Sequence, residues 1–163
     1  MPRFSTNEII EMAVQIERSG YAFYNEALNN KAIKDSTHKL LTLLRDQEVK
    51  HEKFFLSLRD EKDLLNLEES QDWDMISSYI KMITDSRLFS DEKSAIKLAT
   101  NAKSDLEIID YAITFEKDTL LFFHTLKDKI ENDKTRMIVQ EIIQEEITHV
   151  FRLTEYKNNQ LSV

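Results

Sequence analysis

The sequence predicts an all-α protein, a bundle of four long helices with one long crossover that itself contains short helices. Three observations predict it. Apolar residues recur at three- and four-residue spacing through four long runs. The 163 residues include one Gly and one Pro, too few to turn the strands of a sandwich or barrel. The runs also begin and end on residues that cap or stop helices. A chain of this length has room for a proper core, so residues 1–157 are expected to form a single domain, followed by a frayed tail at 158–163.

The first run opens on a possible capping box, Ser5-x-x-Glu8, and continues to about Asn30, with Ile10, Ala13, Glu17, Gly20, Tyr24 and Ala27 on one stripe. Asn29-Asn30 is a natural stop. The second run, from about Asp35 to Asp60, places Leu41, Leu44, Glu48, His51, Phe55 and Leu58 together. Ser104-x-x-Glu107 opens the third, which reaches about Glu131 with Ile109, Ile113, Glu116, Leu120 and Phe123 inward. The fourth, about 133 to 157, carries Val139, Ile142, Glu146, His149, Leu153 and Tyr156. Each would be roughly 35–40 Å long at about 1.5 Å per residue. Between the second and third runs, about 61–103, the texture changes. Asp60–Asp74 is acidic and polar, while Met75–Thr84 and Asp91–Ala102 read as short helices. A connection this long can return the chain along the bundle to its other end. Trp73 is expected to plug the bundle there.

Composition narrows the function classes. Lys and Arg total 22 against 30 Asp and Glu, a formal charge of −8, which argues against nucleic-acid and anionic-membrane binding. The absence of Cys excludes disulfide scaffolds, zinc ribbons, Cys-held iron–sulfur centres and thiol nucleophiles. No apolar run approaches 18 residues, and Met1-Pro2-Arg3-Phe4 lacks a signal-peptide core. The expectation is a soluble, cytoplasmic protein.

Against this background, six charged or titratable residues fall on seams that should be apolar: Glu17, Glu48, His51, Glu116, Glu146 and His149. Four carboxylates inside one bundle repel one another and lose hydration, at several kcal/mol each in order of magnitude. They persist by taking up protons or by gaining cations. Glu48-Val49-Lys50-His51 and Glu146-Ile147-Thr148-His149 are both Glu-x-x-His, a spacing that puts carboxylate and imidazole on one helix face. Either motif alone is weak.

The internal repeat is stronger. Glu17 precedes Glu48 by 31 residues and Glu116 precedes Glu146 by 30; Ala13-x-x-Ile16-Glu17 matches Ala112-x-x-Phe115-Glu116. Six residues past each Glu stands Phe23 or Phe122, followed by Tyr24 or Phe123. The chain therefore reads as two related hairpins, each giving one lone Glu and one Glu-x-x-His. Four Glu and two His on four helices make the ligand set of a dinuclear carboxylate bundle, whose four negative charges balance two divalent cations.

These segments resemble the diiron domain of the rubrerythrin branch of ferritin-like proteins. Ile16-Glu17-Arg18-Ser19-Gly20-Tyr21-Ala22-Phe23-Tyr24 looks like its first-helix motif, and Asp46-Gln47-Glu48-Val49-Lys50-His51-Glu52 like its second. Ala112-Ile113-Thr114-Phe115-Glu116-Lys117-Asp118 looks like the third, and Gln144-Glu145-Glu146-Ile147-Thr148-His149 like the fourth. The resemblance implies a ferritin-like bundle holding two iron ions. By it, Glu48 and Glu146 would bridge, Glu17 and Glu116 would be terminal ligands, His51 and His149 would each hold one metal, and Tyr24 would be the tyrosine beside the site. Two departures stand out. Without Cys the chain carries no rubredoxin domain. Ile113 also stands where rubrerythrins have a further Glu that takes part in a redox-linked metal shift.

The expected function is oxidation of Fe(II) by dioxygen, or reduction of hydrogen peroxide, with a separate electron-donor protein; a homodimer is expected too. An iron-handling ferroxidase or storage protein and a metal-free helical adaptor are the rival readings. Mn and Zn suit the same ligands, although Zn could not cycle. Gly20 reads either as a close helix approach or as ordinary tolerance, and Tyr24 equally as core. Glu145 points about 100° away from Glu146 on an ideal helix and is expected on the surface. His38 and His124 are expected there as well, whereas Phe54, Phe55, Phe115, Phe122 and Phe123 are expected in the core.

Overall fold

The computed structural model describes residues 6–59 and 72–161. Six α-helices follow in order: α1 (Thr6–Ala27), α2 (Asp35–Ser57), α3 (Trp73–Asp85), α4 (Glu92–Asn101), α5 (Asp105–Lys127) and α6 (Asp133–Tyr156). α1 packs along α2 and α5 along α6, giving two helical hairpins; α4 lies against α1 and α3 touches α5. The expected stripes face inward. Ile10, Ala13 and Ala27 on α1, Leu41, Leu44 and Phe55 on α2, Ile109 and Phe123 on α5, and Val139 and Leu153 on α6 are all buried.

Local chemistry sets the helix ends. After α1, the Asn30 side chain donates to the carbonyls of Ala99 and Ala102, 3.0 Å each, and accepts from the Ala32 amide. It stops the helix and pins its end to α4. Ser104 and Asn132 cap α5 and α6 by accepting from the amides of Glu107 and Thr135. α5 ends at Lys127, earlier than the expected Glu131. The capping box expected at Ser5 and most of the acidic 60–74 stretch lie outside the described residues, as does the side chain of Trp73.

One buried network shows why the crossover must be long. Asp105, at the start of α5, accepts from the Lys34 amide at the start of α2 (3.0 Å) and from the Thr37 hydroxyl. Thr37 also meets the Tyr156 hydroxyl at the end of α6, 2.6 Å away. α2 and α5 therefore begin at the same end of the bundle. A chain leaving the far end of α2 has to travel back along the bundle before α5 can start. On that return it delivers Phe89, which stacks on Phe115 (centroids 4.9 Å apart) and on Phe23 (5.5 Å). The tail differs from expectation: Lys157–Leu161 continues as a π-helical turn, and Leu161 packs against the core. Apolar contact there outweighs fraying.

Candidate metal centre

The six sequence-predicted residues converge. Glu17 comes from the middle of α1, Glu48 and His51 from α2, Glu116 from α5, and Glu146 and His149 from α6; the four glutamates are fully buried and the histidines nearly so. Their donor atoms form two overlapping sets. Glu17, Glu48, His51 and Glu146 make one; Glu48, Glu116, Glu146 and His149 make the other, with all donor atoms of a set within 4.8 Å of one another. Glu48 and Glu146 belong to both. The imidazole rings lie side by side, 6.2 Å apart and inclined by 23°.

Both histidines turn Nδ1 toward the cluster. His149 Nδ1 is 2.8 Å from Glu146 Oε2 and 3.4 Å from Glu116 Oε1. His51 Nδ1 is 2.8 Å from Glu146 Oε1 and 3.6 Å from Glu17 Oε2. Hydrogen bonding nonetheless leaves many atoms unserved. Both oxygens of Glu17, both of Glu48 and Glu116 Oε2 are buried without a hydrogen-bond partner among the described residues. A cluster so rich in orphaned acceptors is costly in a protein interior, and positive ions placed between the carboxylates would satisfy it. The donor set therefore fits a pair of divalent cations.

Without cations the cluster holds protons. Burial, and then the neighbouring carboxylates, raise Glu17 and Glu48 well above the usual carboxylate range, with only the approach of Glu48 pulling Glu17 the other way. Burial and the charge of Glu146 carry Glu116 up to about 8. Burial disfavours both imidazolium ions, but contact with Glu146 at His51, and with Glu116 and then Glu146 at His149, prevails together with the surrounding negative charge, raising His51 to about 9 and His149 to about 10. Glu146 goes the other way. Although buried, it lies between both rings and is held well below the carboxylate range.

Three features shape the walls. The Tyr24 hydroxyl donates to Glu116 Oε1 at 2.6 Å, and burial beside Glu116 raises the phenol further above its ordinary value. Gly20 makes room: a Cβ there would come within 2.6 Å of Phe115 Cζ and 2.9 Å of Glu48 Oε2. The close-approach reading of this glycine is thereby the right one. Phe55, Phe115, Phe122 and Phe123 are buried as expected, and Phe54 is partly so.

Glu145 lies at the surface as expected, but it does more than meet solvent. Its side chain is half exposed, yet Oε2 lies 2.6 Å from His51 Nε2. The ideal-helix angle does point it off the α6 seam, but α2 lies within that arc and the long side chain spans the gap. Its adjacency to the Glu-x-x-His motif was the available signal. Phe89, too, escaped notice, because nothing in the crossover's local pattern marks it as part of the wall. His38 and His124 stay outside the cluster.

No family model and no curated protein sequence matches the chain. Among solved structures, a crystal structure from Thermotoga maritima, provisionally described as a ferritin-like diiron-carboxylate protein, superposes with a TM-score of 0.70 at 24% identity, over 98% of each chain. The chain has the ferritin-like fold. Among its described residues, no helix is long and apolar enough to cross a membrane.

Proposed function

We propose that the protein is a non-haem diiron oxidoreductase of rubrerythrin type, acting on hydrogen peroxide or dioxygen with electrons from a separate donor protein. One observation carries this reading: two four-residue donor sets that share Glu48 and Glu146 inside a closed bundle. In this reading Glu48 and Glu146, common to both sets, would serve both metals, Glu17 and His51 would hold one, and Glu116 and His149 the other. The diiron description of the Thermotoga maritima protein, which has the same fold, supports it.

When bound, the metal pair would supply the electron transfer that Glu and His cannot. The chain does the rest. Glu17, Glu48, Glu116 and Glu146 bring four negative charges against four positive ones. The histidines turn Nδ1 inward and would serve as neutral ligands. Tyr24 holds Glu116 in place and keeps a hydroxyl proton at the cluster. Phe89, Phe115 and Phe23 form an apolar wall on the Gly20 side that keeps water away. Ile113, partly buried against the core, stands where rubrerythrins have a further carboxylate, so α5 brings a single ligand, Glu116.

Stopped-flow mixing of the Fe(II)-loaded protein with hydrogen peroxide tests this. Rapid oxidation that disappears in Glu48→Ala is expected; equal rates in the two proteins would refute the reading. Iron counting after aerobic loading separates it from storage, since a plateau near two per chain excludes a store. The proposal extends to a homodimer. Ile147 and the largely exposed Phe151, one turn apart on α6, offer apolar surface for it.

A further inference from the structure

The two halves of the cluster are built alike in their ligands and unlike in what stands behind them. The repeat pairs Glu17 with Glu116, Glu48 with Glu146, and His51 with His149; by the same offsets it pairs Gln47 with Glu145 and Tyr24 with Phe123. Glu145 of α6 crosses to α2 and meets His51 Nε2 at 2.6 Å. Its counterpart Gln47 on α2 presents no charge, and its Oε1 is buried without a hydrogen-bond partner among the described residues. The second difference runs the same way. The Tyr24 hydroxyl donates to Glu116, drawing electron density from that ligand. Phe123 has no hydroxyl to give, and Glu17 accepts no hydrogen bond among the described residues, although His51 Nδ1 lies 3.6 Å from its Oε2.

Resting on the dinuclear reading above, we propose that the two metal positions are inequivalent. The Glu17–His51 half is the tighter and fills first, because Glu145 is a positioning residue that orients His51 and backs it with negative charge. A carboxylate accepting the outer N–H of a ligating imidazole fixes the ring's orientation, directs its Nδ1 lone pair toward the cation, and makes that nitrogen a better donor. On the His149 side the repeat has Gln47, which carries no charge and whose Oε1 makes no hydrogen bond to His149, and the companion Glu116 shares its charge with a phenol. The cluster therefore takes up cations in order rather than as two equal sites.

The test is a titration of the metal-free protein with Zn(II), following the ring nitrogens of His51 and His149 by long-range ¹H–¹⁵N NMR, and with Co(II) against a competing chelator for affinity. In the unaltered protein, His51 should respond during the first equivalent and His149 during the second. Glu145→Gln should loosen the first step by about 10- to 100-fold and leave the second nearly unchanged. Gln47→Glu should tighten the second step and narrow the gap, which a merely structural role for Glu145 would not foresee. Response of both histidines together, His149 leading, or equal weakening of both steps by Glu145→Gln would overturn the inference while leaving two bound metals in place. Failure of the unaltered protein to bind either ion would overturn the dinuclear reading itself, and this inference with it. Far-UV circular dichroism on each variant separates lost affinity from lost fold.

Discussion

The α1–α2 and α5–α6 hairpins bring the same three residue types to the cluster, yet they solve the packing around them differently. In the first, Gly20 stands one turn past Glu17, and the space it leaves is filled by Phe115 and by the Glu48 carboxylate. The corresponding residue of the second is Thr119, whose hydroxyl turns back to the Phe115 carbonyl at 2.9 Å. Tyr24 ends the first stripe with a hydroxyl that reaches across to Glu116, whereas Phe123 ends the second with only a ring. The crossover accentuates the difference, since α4 lies against α1 and Phe89 is stacked between Phe23 and Phe115. The two halves thus match at the cluster residues and differ in what packs behind them.

The largest effect should come from breaking what the hairpins share. Glu48→Ala and Glu146→Ala each remove a residue common to both donor sets, so bound iron should fall from two per chain toward none. Glu17→Ala or Glu116→Ala removes a residue from one set only and should leave about one metal by elemental analysis. Equal losses in all four variants would erase the distinction between shared and unshared ligands.

Next come the two positions where the hairpins differ sterically. Gly20→Ala puts a methyl into Phe115 and Glu48, and should destabilise the metal-free protein by about 1–3 kcal/mol in urea unfolding. Thr119→Ala loses one backbone-directed hydrogen bond and should cost about 1 kcal/mol. A Gly20 variant as stable as the parent would mean that α1 and α5 have room to spare.

The pH response should expose the cluster's protons. Glu116, with its folded value raised to about 8, and His51 and His149, raised to about 9 and 10, all bind protons more tightly folded than unfolded. Their stabilising contribution is complete below the unfolded values, about 4.5 for Glu116 and 6.5 for the histidines, and is lost as pH rises through the folded ones. The melting temperature of the metal-free protein should therefore fall between about pH 5 and 10. Metal loading, which replaces those protons by cations, should remove the fall and tighten as pH rises. A metal-free protein that gains stability over this range would contradict the proton-holding cluster. The smallest effect is expected at the surface: Phe151→Glu should shift a dimer toward monomer in sedimentation and leave metal content unchanged.

The bundle was legible because its periodicity is strong. Residues from Ile10 to Ala27 and from Leu41 to Phe55 recur at helical spacing, and a buried stripe has no other way to sit. The six convergent residues were legible for the opposite reason: they break that stripe at matched intervals in both halves. Glu145 was not, because whether an off-seam carboxylate meets solvent or a neighbouring imidazole depends on how far away the next helix lies. Phe89 was hidden likewise. A single aromatic between two short helices gains its place only once the returning crossover is laid against α1 and α5, and the Leu88 amide is fixed by Asp118. The ordered turn at Lys157–Leu161 belongs with these, being set by its packing against the core.

The measurement that bears most directly on the central claim is native mass spectrometry of the metal-free chain titrated anaerobically with Fe(II), alongside a variant carrying both Glu48→Ala and Glu146→Ala. The parent should acquire two iron ions per chain and the double variant none. A parent that stays metal-free under saturating iron, or a double variant that still takes up two, would contradict it.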